Sequence, residues 1–210
     1  MNKQAVVERE YGPVTEGSTV AGVAFDGEKL WFASEEGLTA LDPSTGASEA
    51  SFPIPADAGT AFDGTHLYQL AEERIDKVNP ATGEVVATLP APSGGSSGMT
   101  WAEGTLWIGQ YRDCKILQVD PTTGAVLRTI DSDRFVTGVS WVDGELWHAT
   151  SQDDVSDLRR IDPETGAVLE RLDTGVSMIS GLAAHGDAFY CGGGHSRTIR
   201  KLRRAEIVDP

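Results

Sequence analysis

The chain has 210 residues, 24 of them glycine and 10 proline, with 40% hydrophobic content, which describes a turn-rich all-β protein with a sizeable core and excludes a disordered segment. Seventeen lysines and arginines against 32 aspartates and glutamates leave a formal charge of −15. That charge repels phosphate backbones and anionic lipid surfaces, so neither nucleic acid nor a membrane is an expected partner. The longest apolar stretches are strand-length, and the start, Met1-Asn2-Lys3-Gln4, runs into charge with no apolar signal region; the expectation is a soluble, cytoplasmic protein.

The first predicted element is a strand over residues 4–10, centred on Ala5-Val-Val-Glu-Arg-Glu10, which aligns with Ala167-Val-Leu-Glu-Arg-Leu172 much further along the chain. After it come five copies of a unit about forty residues long, at about 20–56, 57–95, 96–135, 136–178 and 179–204. Each copy opens on a glycine-led apolar strand: Gly22-Val-Ala-Phe25, Gly59-Thr-Ala-Phe62, Gly98-Met-Thr-Trp101, Gly138-Val-Ser-Trp141 and Gly181-Leu-Ala-Ala184. Eight residues after each first glycine stands an apolar-aromatic pair, Leu30-Trp31, Leu67-Tyr68, Leu106-Trp107, Leu146-Trp147 and Phe189-Tyr190. That constant interval fits two short strands joined by a tight hairpin.

A third strand runs into Asp42-Pro-Ser-Thr-Gly46, Asn79-Pro-Ala-Thr-Gly83, Asp120-Pro-Thr-Thr-Gly124 or Asp162-Pro-Glu-Thr-Gly166. In such a turn the Asp or Asn side chain caps the backbone, Pro sets φ, and Gly supplies the positive φ of the exit. A fourth, more polar strand such as Ala125-Val-Leu-Arg-Thr-Ile130 closes the unit. Four strands with the first two apolar on both faces are the pattern of a propeller blade. The first glycines lie 37, 39, 40 and 43 residues apart, too far for β-helix coils, and no 3.6-residue period supports a helical solenoid.

The fifth copy ends after Thr198-Ile-Arg-Lys-Leu-Arg-Arg204 without a fourth strand. The expected architecture is therefore an all-β, single-domain, five-bladed β-propeller over 1–210, with four antiparallel strands per blade and the last blade closed by the N-terminal strand. This closure removes two exposed strand edges and sets Glu8 and Glu10 near Arg200, Arg203 and Arg204.

Glycine-aliphatic-Ala-Phe, Asp-Gly, Leu-Trp and Asp-Pro-x-Thr-Gly, repeated over nearly the whole chain, resemble the glutaminyl-peptide cyclotransferase family of the plant and bacterial type. More distantly they resemble the YncE and virginiamycin B lyase-like propellers, whose rings are larger. The first resemblance implies five blades and conversion of an N-terminal glutamine to pyroglutamate, with a Glu just before the glycine of an inner strand. The matching residues here are Ala21, Ala58, Ser97, Thr137 and Ser180. None is acidic. Asp57, one residue earlier, is the nearest acid, and strand alternation points it another way.

The copies differ in length between their second and third strands: 11 residues from Trp31 to Asp42, 11 from Tyr68 to Asn79, 13 from Trp107 to Asp120 and 15 from Trp147 to Asp162. Variation confined to one face marks the expected binding face. It gathers Gln110, Tyr111, Arg112, Gln152, His195 and Arg197, which with Gln69 and Thr137 form the expected contacts to a small-molecule or peptide ligand. His66 and His185 fall at the opposite, constant end. Cys114 and Cys191 are too few for a disulfide framework and lack metal-ligand spacing, so free thiols are expected. No metal site or cofactor is indicated.

One inner-strand position also varies, being Phe32 and Ile108 in two copies but Gln69, His148 and Cys191 in the others. His148 and Cys191 admit two readings. They are an acid-base site reaching into the channel, His being the side chain most easily poised near neutral pH, or they are a hydrogen-bonded core histidine and a small buried thiol. Two functions follow: a cyclotransferase- or lyase-like enzyme acting on a small molecule or peptide end, with His148 and Cys191 catalytic, or a non-catalytic ligand- or protein-binding propeller.

Overall fold

The computed structural model describes residues 3–17 and 19–204. Strand β1 (Lys3–Tyr11) comes first. Four antiparallel groups of four then follow in chain order: β2 (Val23–Phe25), β3 (Leu30–Ser34), β4 (Gly37–Leu41) and β5 (Ser48–Phe52); β6 (Thr60–Phe62), β7 (Leu67–Ala71), β8 (Arg74–Val78) and β9 (Val85–Pro90); β10 (Ser96–Ala102), β11 (Thr105–Gln110), β12 (Lys115–Val119) and β13 (Val126–Asp131); and β14 (Phe135–Val142), β15 (Glu145–Gln152), β16 (Val155–Ile161) and β17 (Val168–Asp173). The last three strands, β18 (Gly181–His185), β19 (Ala188–Gly192) and β20 (Ile199–Arg204), are completed by β1, which pairs antiparallel with β20 from Ala5↔Arg204 to Tyr11↔Ile199. Among the described residues there is no helix, and the fold is propeller-like.

The turns form as their chemistry requires. In the first, Asp42 accepts the Ser44 amide at 2.7 Å and the Thr45 hydroxyl at 2.8 Å, and the Gly46 amide returns to the Asp42 carbonyl with φ +81°. These donors hold the Asp42 carboxyl down at about 2. Asp120 and Asp162 each accept two backbone amides, those of Thr122 and Thr123 and of Glu164 and Thr165, Asn79 accepts the Ala81 amide on its side-chain oxygen, and the glycine amide returns to the first carbonyl in all three.

Each unit packs on the next through its recurrent aromatic. Tyr68 stacks on Trp101, Trp107 on Trp141, Trp147 meets Phe189 edge-on, and Tyr190 stacks on Phe25 across the junction of chain ends. Trp31 packs with Leu67 and Val78 of the second unit. Burying such rings supplies about 1.5–3 kcal/mol apiece, which explains why the position is aromatic in every copy.

At the centre the five first glycines touch in cyclic order. A β-carbon at Gly22 would come within 3.0 Å of Ala58 and Gly59, one at Gly59 of Gly98 and Met99, one at Gly98 of Gly138, one at Gly138 of Gly181 and Leu182, and one at Gly181 of Val23. The backbones meet where no side chain fits, so glycine recurs there for want of space. These contacts run from the fifth unit back to the first and close a ring.

The seam is held by β1. Tyr11 is buried against Val20, Ile199 and Tyr190 and donates its hydroxyl to the Pro43 carbonyl at 2.8 Å. Glu10 pairs with Arg200 at 2.6 Å, and Glu8 with Lys201 at 3.0 Å and Arg203 at 2.7 Å. Arg204, expected among these partners, turns instead to Glu145 and Glu170 and lies over the Trp147 ring. The N-terminal strand also touches the neighbouring unit: Lys3 and Gln4 pair parallel with Leu172 and Asp173 of β17, joining two groups into one eight-stranded sheet.

Candidate functional site

The glycine ring pinches the central channel and divides it in two. On the side where the inner strands end is a cavity of about 90 Å³, lined by Phe25, Phe62, Trp101, Trp141, Thr60, Thr100 and Ser140 among others. On the side where they begin is a cavity of about 360 Å³. The larger one opens on the face of the second-to-third-strand loops, since Tyr111, Ser151, Gly194 and His195 belong to its wall.

Its inner wall consists of the residues immediately before the ring glycines. Ala21, Ala58, Ser97, Thr137 and Ser180 all line it, as do Val20, Asp57, Ser96 and Ile179 one position earlier. Two hydroxyls are committed to holding the ring. Ser97 donates to the Val136 carbonyl at 2.7 Å, and Ser180 donates to the Val20 carbonyl at 2.5 Å while accepting the Gly194 amide at 3.0 Å. Among the described residues, the titratable side chains on this wall are Asp57, Tyr111 and His195. Asp57 is on the wall, one residue before Ala58. Strand β6 begins only at Thr60, so residue 57 precedes the pleat, and its carboxylate accepts the Glu72 amide at 3.1 and 3.2 Å.

Of the residues singled out from sequence, Tyr111, Thr137 and His195 line the cavity. Tyr111 is exposed and stacks on Phe135 at 4.8 Å. Arg112 and Gln152 are exposed on hairpin tips outside the wall, and Arg197, at φ +59°, spends its guanidinium on the Glu16 carbonyl. Gln110 is buried beneath the rim and donates to the Ser93 carbonyl at 2.7 Å. Gln69 is fully buried, accepting the Thr60 hydroxyl at 2.7 Å and donating to the Leu70 carbonyl at 2.8 Å. It is a satisfied core residue with no access to the cavity.

His148 and Cys191 require the larger correction. Neither lines the cavity, and they do not meet. Cys191 packs with Trp147, Ala149 and Leu182 between the fourth and fifth units, where burial pushes its thiol well above the usual range. His148 alternates with Trp147 and Ala149 on β15, so it points the other way, toward the third unit, beside its cross-strand partners Val139 and Arg159. It is 2% exposed, and neither ring nitrogen has a hydrogen-bond partner among the described residues. Burial, reinforced by the Arg159 charge and only partly offset by Asp157 and Asp133, lowers its pKa to about 4. A histidine so placed lies away from the cavity wall, and its burial disfavours the charged form.

Its neighbours form the most charged interior of the molecule. Asp157 is fully buried, accepts the Thr150 hydroxyl, and faces Arg159 at 3.0 Å, Arg171 at 2.8 Å and Arg134 at 3.5 Å. Burial raises its pKa, but the Thr150 hydrogen bond and the arginines outweigh this and hold the carboxyl below its usual range.

A family profile described as a domain of unknown function, DUF5074, matches residues 2–199. The chain belongs to the DUF5074 family. No curated protein matches it in sequence. Among solved structures, the glutaminyl cyclase of Myxococcus xanthus superposes on this DUF5074 chain with a TM-score of 0.80, covering 98% of this chain and 99% of that one at 17% identity. A Bacteroides caccae protein of unknown function gives 0.60 over 84% and 71% at 14% identity, and the hydrazine synthase of Kuenenia stuttgartiensis 0.53 over 85% and 56% at 16% identity. The DUF5074 chain thus has a glutaminyl-cyclase-like fold.

Sequence reasoning missed Asp57 and Ser96 as wall residues, while Ser151 belongs to the 150–154 loop expected on that face. The usable signal was the ring glycine itself, because every residue just before it faces the larger cavity whatever its chemistry.

Proposed function

We propose that this protein is a five-bladed β-propeller that acts as a cyclotransferase-like enzyme on a small molecule or peptide end bound in the mouth cavity. Five four-stranded groups around a ring of five glycines support the blade count. The full-length likeness to a glutaminyl cyclase supports the reaction class. The observation that carries the reading is the cavity's composition: hydroxyls from three units, and Asp57 and His195 as the carboxylate and imidazole on its wall.

The chemistry asked of them is proton transfer. In cyclisation of an N-terminal glutamine the α-amine attacks the side-chain carboxamide carbon, a C–N bond forms, the bond to the amide nitrogen breaks, and ammonia leaves. A base must take a proton from the attacking amine, and an acid must return one to the leaving nitrogen. We assign these roles to Asp57 and His195 in place of His148 and Cys191. A second reading, a non-catalytic binding propeller, is favoured by one observation: no carboxylate occupies Ala21, Ala58, Ser97, Thr137 or Ser180.

Ammonia release from a glutamine-initiated peptide separates the two. The enzyme reading expects release by the wild type and a loss of about 10²-fold in Asp57→Asn with unchanged folding. Binding of the peptide without release establishes the second reading, and release at an undiminished rate by Asp57→Asn removes Asp57 from the reaction.

A further inference from the structure

The five positions before the ring glycines share a place on the wall but not a side chain. Ala21 and Ala58 offer no polar atom. Ser97 and Ser180 each donate to the carbonyl two residues ahead of the next unit's glycine, Val136 and Val20. By the same rule the Thr137 hydroxyl would donate to Ile179. It does not: Thr137 is 6% exposed, and its Oγ1 has no hydrogen-bond partner among the described residues. Ser96 Oγ on the adjoining unit is in the same condition, and both residues line the larger cavity.

The backbone does not account for the difference. Val136 pairs with Thr150 and Gly138 with Ala149, leaving Thr137 as the extra residue of a β-bulge, and the third unit carries the same register shift between Ser96 and Met99, around Ser97. Bulges re-aim a side chain at the cost of a ladder position, and Thr137, like Ser97, lies on the cavity wall, its hydroxyl buried at that wall and not spent on the next unit. A buried hydroxyl is costly unless completed by a partner. The partner must come from what fills the cavity.

We propose that Thr137 anchors the ligand, its hydroxyl acting with Ser96 on a neutral group that both donates and accepts a hydrogen bond, carried on a short apolar body. The inference rests on the mouth cavity being the binding site. Charge selects the class: among the described residues no lysine or arginine lines the wall, and Asp57 is its carboxylate, so an anionic group finds repulsion and no cation. Val20, Ala21, Ala58 and Ile179 supply the apolar part of the lining.

The test is a titration of the full chain by NMR with 1,2-propanediol, and with propionate and propylammonium as charged probes of similar size. The diol is expected to shift the amides of Ala21, Ala58 and Thr137, and propionate to leave them still. Thr137→Val should weaken diol binding about three- to tenfold, and Thr137→Ser should restore it. Thermal unfolding gives an independent readout. Thr137→Val should keep or raise the melting temperature, whereas Ser97→Ala, losing an inter-unit hydrogen bond, should lower it by roughly 2–4 °C. A fall in Thr137→Val matching that of Ser97→Ala would show that the hydroxyl ties units together and would overturn the proposal. Equal diol shifts at Ala21 and Ala58 in wild type and Thr137→Val overturn the anchor while leaving the cavity as a site. Propionate or propylammonium binding as tightly as the diol overturns the neutral ligand class. If no probe moves these amides, the anchor and the cavity reading fall together.

Discussion

Replacing His148 with Ile should remove a pH dependence of stability and leave ligand binding at the mouth intact. Above pH 6.5 the imidazole is neutral in both folded and unfolded chains and contributes nothing. As pH falls from 6.5, the unfolded chain takes up a proton that the folded protein, with its pKa lowered to about 4, refuses. Unfolding is therefore favoured increasingly down to pH 4. One pKa unit corresponds to about 1.4 kcal/mol, so this gap removes about 3 kcal/mol of stability across the window. The groups facing the ring are Arg159, whose charge deepens the effect, and Asp157 and Asp133, which oppose it. The Asp157 carboxyl, held below its ordinary value, loses its contribution only at more acidic pH. Isoleucine is chosen because Ile108 fills the equivalent position one unit earlier, and it also removes two unpaired buried nitrogens. Urea unfolding between pH 4 and 8, followed by the fluorescence of buried Trp31, Trp107 and Trp147, measures the slope. Wild type should lose stability between pH 6.5 and 4, and His148→Ile should lose much less. The same slope in both proteins, or peptide turnover that collapses in a well-folded His148→Ile, would refute the reasoning.

Deleting residues 1–11 should cost at least about 3 kcal/mol, since it removes the buried Tyr11 and Ala5 side chains and leaves the β20 edge unpaired; a deletion variant that melts like the full chain would contradict closure by β1. Native alkylation should label Cys114 quickly, because it sits partly exposed on a hairpin tip, and spare Cys191 until the protein unfolds, with both thiols free by intact mass.

Much of the scaffold was legible because it repeats. The glycine-led strand, the aromatic eight residues on and the Asp-Pro-x-Thr-Gly turn each answer a physical demand that recurs in every unit, and the missing last strand pointed to Ala5–Glu10. The site was less legible for a geometric reason. Side chains of the second strand point alternately at the preceding and following units, so a polar residue at that position, whether Gln69, His148 or Cys191, lies in an interface between sheets and never in the channel. Polarity at a repeated core position was a sign of an unusual interface, as the Asp157 cluster beside His148 shows. The cavity is reached instead from the start of the innermost strand and from the mouth, where Tyr111, Ser151, Gly194 and His195 stand. Asp57 escaped because alternation was extended to a residue that lies before the strand begins.

These geometries also suggest where this fold is free to change its chemistry. A side chain at the aromatic position must fill a gap against the next unit, and a β-carbon at the ring glycine has no space, so both are fixed by packing. The residue just before the ring glycine has neither duty: it abuts the cavity, and alanine, serine and threonine all occur there. Of these five residues two carry no polar atom, two spend theirs on the neighbouring carbonyl, and Thr137 keeps its own for the cavity. At Ala21, Ala58 and Thr137 a substitution changes the cavity wall without removing a hydrogen bond between units, whereas Ser97 and Ser180 each hold one. If the cavity is the binding site, the departures from the repeat at these positions, rather than the repeat itself, set what it prefers, and exchanging Ala58 for a carboxylate-bearing residue is the change that most directly tests whether the wall can be given stronger acid-base chemistry without loss of fold.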